Sequence, residues 1–134
     1  MAHWLAGRTI FGPADKIVED LTDHWCIAKL MRLVGPIGTP DPSKTDIVDE
    51  FALAEYFEKE SFVHPQTGIE ESFIKVGCIR QELEKVEGPI ESRCIDFIES
   101  LLVVDPLRRP SAREALQHPW FMDSSDYNSD CSVD

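Results

Sequence analysis

The sequence predicts an all-α fold with long irregular connections, and three observations carry that expectation. Apolar residues recur at helical spacing in several separate stretches. Glycine and proline punctuate the intervals between those stretches. No pair of alternating runs is joined by a turn that would predict a β-hairpin.

The first strong helix is expected over residues 20–34. Ile27, Leu30, Met31 and Val34 fall at i, i+3, i+4 and i+7, and Leu21, Trp25 and Ala28 widen that stripe. Asp20 or Thr22 is suited to cap the N-terminus, and Lys29 and Arg32 sit toward the negative end of the dipole. Gly35 then supplies a left-handed residue and Pro36 ends the helix. Residues 36–46 contain three prolines and are expected to form a restricted loop.

A second helix is expected over residues 47–58, with Ile47, Phe51 and Ala54 on one face and Phe57 or Phe62 anchoring its exit. Residues 59–78 read as irregular. A short helix over 79–86 presents Ile79, Leu83 and Val86. The next helix, 90–103, has Cys94, Phe97, Ile98 and Leu101 on one face, bordered by Ile95 and Leu102, so it should be deeply packed. A last helix starts at Ser111, where Ser111 and Glu114 have capping-box spacing, and stops near His118-Pro119. Upstream, residues 1–12 read as a helix end, a break at Gly7 and a turn.

Composition narrows the function classes. The chain has 134 residues, 43% of them apolar, which is enough for one packed domain. Lys and Arg number 13 against 25 Asp and Glu, a formal charge of −12, which disfavours a nucleic-acid or anionic-membrane surface. No apolar run is long enough for a membrane span, and no secretory leader pattern opens the chain. Cys26, Cys78, Cys94 and Cys131 form no CxxC pair and no zinc-like spacing, so free thiols in an intracellular, reducing compartment are expected. Residues 123–134 hold four Asp, four Ser and no cation, so that tail is expected to be disordered. The division is therefore a folded region over 1–122 and an acidic tail over 123–134.

The chemistry-bearing residue types are scattered. No G-x-S-x-G nucleophile motif and no phosphate-cradling glycine pattern occur. His3, His24, His64 and His118 read as surface or capping residues. Asp105 before Pro106 reads as a turn-initiating carboxylate, and Asp49-Glu50 and Glu70-Glu71 as solvated pairs. No catalytic, cofactor-binding or metal-binding residue is expected in this chain.

One segment stands out. Residues 101–121 read LLVVDPLRRPSAREALQHPWF. The segment resembles the last block of eukaryotic protein kinase domains, LL-x-x-D-P-x-x-R-P-S/T-A-x-E-x-L-x-H-P-W/F-F, in order and without a gap. The matching motif residues are Asp105, Pro106, Arg109, Pro110, Ser111, Glu114, His118, Pro119, Trp120 and Phe121. Trp4 to Phe11 is similar to the exit of the family's central buried helix. Leu33-Val34-Gly35-Pro36 resembles the following kinase helix in the group of cyclin-dependent, MAP, CLK and SR-protein kinases. The acidic, aromatic Glu55-Tyr56-Phe57-Glu58 is similar to that group's insert, with an SR-protein-kinase-like, fungal flavour.

The resemblance spans roughly residues 3–121 and implies a partial kinase C-lobe: the end of the central helix and the helices after it. The family transfers the ATP γ-phosphoryl group to Ser or Thr with Mg. The phosphate-covering glycine loop, the strand Lys, the catalytic-loop Asp and Asn and the DFG Asp have no counterpart in this sequence. The chain is therefore expected to bind neither ATP nor Mg and to be inactive alone. In the family, the Arg matching Arg109 pairs in the interior with the Glu of an A-P-E segment, which is also missing here. A buried Arg109 without that partner would cost about 3–5 kcal/mol, so another carboxylate replaces it or the local structure relaxes.

Three readings follow from the sequence. The chain is a piece of a kinase C-lobe, whose cut would show at Met1–Leu5. Or it is a helical interaction module whose acidic body binds a basic or Arg/Ser-rich peptide. Or it is a truncation without function, leaving the apolar faces of 27–34 and 94–102 short of packing.

Overall fold

The computed structural model describes residues 5–88 and 90–122. It contains α1 (Thr22–Val34), α2 (Thr45–Lys59), β1 (Ser61–Val63), β2 (Glu70–Ser72), α3 (Ile79–Glu84), α4 (Ser92–Leu101), α5 (Ala112–Ala115) and α6 (Pro119–Met122). The fold is mostly helical, as the periodicity predicts. The expected tail disorder, Cys131 and His3 lie outside the described residues.

The core collects Trp25, Ala28 and Leu33 of α1, Ala54 and Phe57 of α2, Ile79 and Leu83 of α3, and Cys94, Ile95 and Ile98 of α4. Ala6 and Ile10 bring the N-terminal segment into it, and Ile74 and Val76 bring in the chain between β2 and α3. The α1 helix packs along α2, while α4 touches α3, α5 and α6.

The buried face of α1 differs from the predicted stripe. Trp25, Ala28, Lys29 and Leu33 are buried, whereas Leu30 is exposed and Ile27, Met31 and Val34 are half-buried. The helix is rotated toward its own lysine. Lys29 is 1% exposed and donates to Asp15 at 2.9 Å, and the Trp25 indole N–H donates to the same carboxylate oxygen at 3.2 Å. Anchoring both donors on the 12–20 loop outweighs exposing Leu30. The predicted side-chain cap does not form either. Leu21 holds the cap position, Asp20 adopts φ 61°, and the Thr22 hydroxyl accepts from Lys16 instead. Gly35 does carry the positive φ its position predicts. Its φ and ψ of 87° and −167° lie in a region open essentially to glycine alone.

The expectation of no hairpin is overturned by β1 and β2, which pair antiparallel with Phe62 opposite Glu71. Three-residue strands are too short for a period of two to register in a sequence. What holds them is aromatic packing. The Phe62 and Phe73 ring centroids are 5.0 Å apart, and Phe73 and Phe57 are 5.1 Å apart, edge to face. The connection closes through His64 N–H to the Ile69 carbonyl at 2.8 Å, with Gly68 at φ 68° turning the chain.

Two further expected core residues lie at the surface: Ile47 at the start of α2 and Leu101 at the end of α4 are 38% and 36% exposed. The α3 helix is shorter than predicted, ending at Glu84. The last predicted helix is shorter than expected, ending at Ala115, and Pro119 opens a further turn of helix beyond the predicted stop, a position where its missing N–H costs nothing.

A second buried charge ties the N-terminal segment to α3. Glu82 is fully buried; it accepts from the Gly77 amide at 2.7 Å, from Lys85 at 2.7 Å and from Arg8. Burial raises the Glu82 carboxyl pKa, but the Lys85 and Gly77 hydrogen bonds and the nearby cations more than reverse this, leaving it below the ordinary value. Asp15 is lowered in the same way: desolvation opposes, and the Lys29 and Trp25 hydrogen bonds and the Lys29 charge prevail.

The two partners of the Lys29–Asp15 pair are unequal. Removing Asp15 strands a buried ammonium, while removing Lys29 leaves a carboxylate that is 40% exposed and can be solvated. Asp15→Ala should therefore destabilise by about 3 kcal/mol and Lys29→Met by well under half of that, measured by urea denaturation. Equal costs would contradict the assignment.

Both carboxylates have folded pKa values below their unfolded ones. Their contribution is complete above the ordinary carboxylate range and is lost as the pH falls through the folded values. Stability should decline on acidification below about pH 5, and an Asp15→Asn, Glu82→Gln variant should show a shallower decline. An unchanged slope would contradict this.

Candidate functional site

The segment 101–121 is built on one face of α4. Phe97 is buried and receives three rings from the end of the motif. Trp120 stacks on it with centroids 5.3 Å apart, Phe121 meets it edge-on at 4.8 Å, and His118 lies 5.3 Å away. The α4 helix is held from its other side by Arg80 of α3, which donates to Asp96 and Glu99.

Between these rings and α4 the chain turns twice. The Asp105 carboxylate accepts from the Leu107 amide at 2.9 Å, and its carbonyl accepts from the Arg108 and Arg109 amides. This is the turn-initiating geometry that an Asp before Pro106 predicts. Ser111 and Glu114 then form a reciprocal cap. The Ser111 hydroxyl accepts from the Glu114 amide at 3.3 Å, and the Glu114 carboxylate accepts from the Ser111 amide at 2.8 Å and its hydroxyl at 2.6 Å. Those two Ser111 donors hold the Glu114 carboxyl below its ordinary pKa. Pro110 is half-buried, and Pro106 and Pro119 are exposed.

Arg109 takes the relaxed alternative. It is exposed and donates to the Val103 carbonyl at 2.8 Å and the Val104 carbonyl at 3.1 Å. It forms no ion pair among the described residues, and the cost of a buried unpaired guanidinium does not arise. These carbonyls lie just past the end of α4, so Arg109 ties the connecting chain back on itself with two charge-assisted hydrogen bonds. No sequence signal marks main-chain acceptors of this kind.

The described histidines are dispersed. His118 Nδ1 accepts from the Trp120 amide at 3.2 Å, His64 Nδ1 accepts from the Gln66 amide at 3.3 Å, and His24 lies on α1. Cys26, Cys78 and Cys94 are free thiols, and burial raises the Cys94 pKa. No three His, Cys, Asp or Glu side chains converge as a metal site among the described residues, and none of the described helices is long and apolar enough to cross a membrane.

Two grooves open beside the C-terminal end of α1. The larger, about 760 Å³, runs between the 36–42 loop and α2, with Pro36, Ile37, Pro42 and Phe51 on its walls and Glu55 and Glu58 at its edge. The three-proline loop was its only sequence signal. Lys59 lines the groove too, and Glu55 and Glu58 are paired there with Lys59 and Arg32. The second groove, about 500 Å³, lies between the ends of α1 and α4 and reaches Arg108.

Phe97→Ala should cost about 3–5 kcal/mol and Ser111→Ala about 1 kcal/mol, with Ser111→Gly closer to wild type. Chemical denaturation checks the series. A Phe97→Ala cost below that of Ser111→Ala would contradict the anchoring role of the ring.

Comparison with known proteins supports one conclusion. No family model matches the chain, and no solved structure matches it. A probable serine/threonine-protein kinase of Dictyostelium discoideum is 33% identical over 96 residues, covering 71% of this chain and 14% of that protein. Mitogen-activated protein kinase 14 of Xenopus laevis is 27% identical over 121 residues, 90% of this chain and 27% of that protein. Mitogen-activated protein kinase pmk-1 of Caenorhabditis elegans is 26% identical over 120 residues, covering 90% of this chain and 25% of the relative. The chain thus spans between 14% and 27% of the length of these relatives. Their similarity, together with the motif packed on α4, makes this chain a protein-kinase-related region.

Proposed function

We propose that the chain is the later part of a Ser/Thr protein kinase C-lobe, a scaffold without catalytic groups of its own. The observation that carries this reading is the segment 101–121, whose Asp105 turn, Ser111–Glu114 cap and Trp120–Phe121 anchor form one continuous unit on Phe97. An intact parent would transfer the ATP γ-phosphoryl group to Ser or Thr with Mg. The relatives' names support that chemistry for the parent, and the missing phosphate loop, Lys, Asp and Asn argue against it for these residues alone. The Leu33–Pro36 helix end and the acidic 55–58 segment support the group of cyclin-dependent, MAP, CLK and SR-protein kinases, with an SR-protein-kinase-like, fungal character. An intracellular location completes the proposal.

The purified chain, incubated with ATP, Mg and Arg/Ser-rich peptides, should transfer no phosphate. Reading the transcript upstream of Met1 should reveal in-frame HRD and DFG codons. Phosphotransfer by the purified chain, or an upstream frame without those codons, would overturn the proposal.

A second reading, a module for basic or Arg/Ser-rich peptides, is favoured by the larger groove. Asp46, Asp49 and Glu50 of the adjoining α2 are exposed, and Glu55 and Glu58 engage Lys59 and Arg32, cations that a basic ligand could replace. Such binding should weaken steeply with salt, and Glu55→Gln with Glu58→Gln should lower affinity about tenfold. Salt-independent binding, or none, would count against it.

A further inference from the structure

The second groove carries a charge that the fold leaves unused. Its apolar wall includes Leu33, Ile79 and Leu102, and its charged side chains are Glu99, Asp105 and Arg108. Glu99 accepts from Arg80, and Asp105 accepts from the Leu107 amide. The Arg108 side chain has no hydrogen bond or ion pair among the described residues, in a chain where acids outnumber cations 25 to 13. Elsewhere Arg8, Lys29, Arg32 and Arg80 all reach carboxylates. An exposed guanidinium beside an apolar groove, with the neighbouring acids already engaged, is complementary to a carboxylate next to an aliphatic side chain.

We propose that the groove between the ends of α1 and α4 docks an acidic, aliphatic segment of a partner protein. A leucine-like side chain packs on the half-buried Leu102, Val103 and Val104, above the core residues Leu33 and Ile79, and a carboxylate on the same segment pairs with Arg108. The overall charge of the chain does not forbid this. At physiological salt the Debye length is about 8 Å, so distant acids are screened while the contact at Arg108 is not. This inference is independent of whether an intact parent is an active kinase.

The test is titration of the full chain with a fluorescein-labelled peptide of alternating Asp and Leu, read by anisotropy and by amide chemical shifts. Saturable binding is expected, with shifts at Leu33, Ile79 and Leu102–Arg108, and with no binding of the Lys/Leu counterpart. Arg108→Ala should weaken binding about tenfold, and Arg108→Lys by less. Arg108 is exposed and makes no side-chain bond among the described residues, so these variants should fold. Unchanged affinity on Arg108→Ala, equal binding of the Lys/Leu peptide, or shifts confined to other surfaces would overturn the proposal. A variant with Asp123, Asp126, Asp130 and Asp134 changed to Asn separates the sources of acid. Unaltered affinity supports a partner segment; a tenfold gain would mean that the chain's own acidic residues compete for Arg108, overturning the assignment to a partner.

Discussion

The packing of three rings onto Phe97 is the constraint on which the later half of the molecule depends. Residues 102–122 contribute little other buried surface: Leu107, Leu116 and Met122 are largely exposed, and α5 and α6 are single turns of helix. Turns this short are not stable in isolation. Their geometry survives because Trp120, Phe121 and His118 are fixed to α4 at one end and Arg109 ties the chain to the Val103 and Val104 carbonyls at the other. Between those two attachments the Asp105 turn and the Ser111 cap satisfy the main chain locally. The kinase-related motif is therefore a set of connectors, each setting the direction of the chain.

The earlier half depends on buried charge. Lys29 with Asp15, and Glu82 with Arg8 and Lys85, draw the N-terminal segment and the 12–20 loop onto α1 and α3. Each interior charge faces an opposite charge, which is the condition under which a buried charge is tolerated. The consequence for function is positional. With α1 turned toward Asp15, its C-terminal end at Gly35 and Pro36 lies between the two grooves, and both are lined by that end. One groove is edged by Glu55, Glu58 and Lys59, and the other by Glu99, Asp105 and Arg108, whose side chain has no partner among the described residues.

Much of this was legible in the sequence where the signal is local. The Ser111–Glu114 cap, the turn at Asp105, the stop at Gly35 and the stripe Cys94, Phe97, Ile98 all depend on residues within one or two turns of one another. The hairpin was hidden because its strands are three residues long and the ring packed against its end, Phe57, belongs to α2. The rotation of α1 was hidden because hydrophobic spacing assigns a lysine to the surface, and only Asp15, fourteen residues earlier, makes its burial tolerable. Arg109 was readable as a residue in need of a partner, but carbonyl acceptors carry no side-chain signature. The site thus divides cleanly: connectors made by neighbours were predictable, and connections across the fold were not.

Hydrogen–deuterium exchange on the chain and its Phe97→Ala variant addresses the central claim, that the motif is held as one unit through this ring. In the wild-type chain the amides of Arg108, Arg109, Gln117, His118 and Phe121, all hydrogen-bonded to main-chain carbonyls, should be protected together with those of α4. In Phe97→Ala they should lose protection together, while the amides within α1 and α2 change little. Independent loss of the turn at Asp105 and the end at Phe121, or undiminished protection of both, would contradict the account.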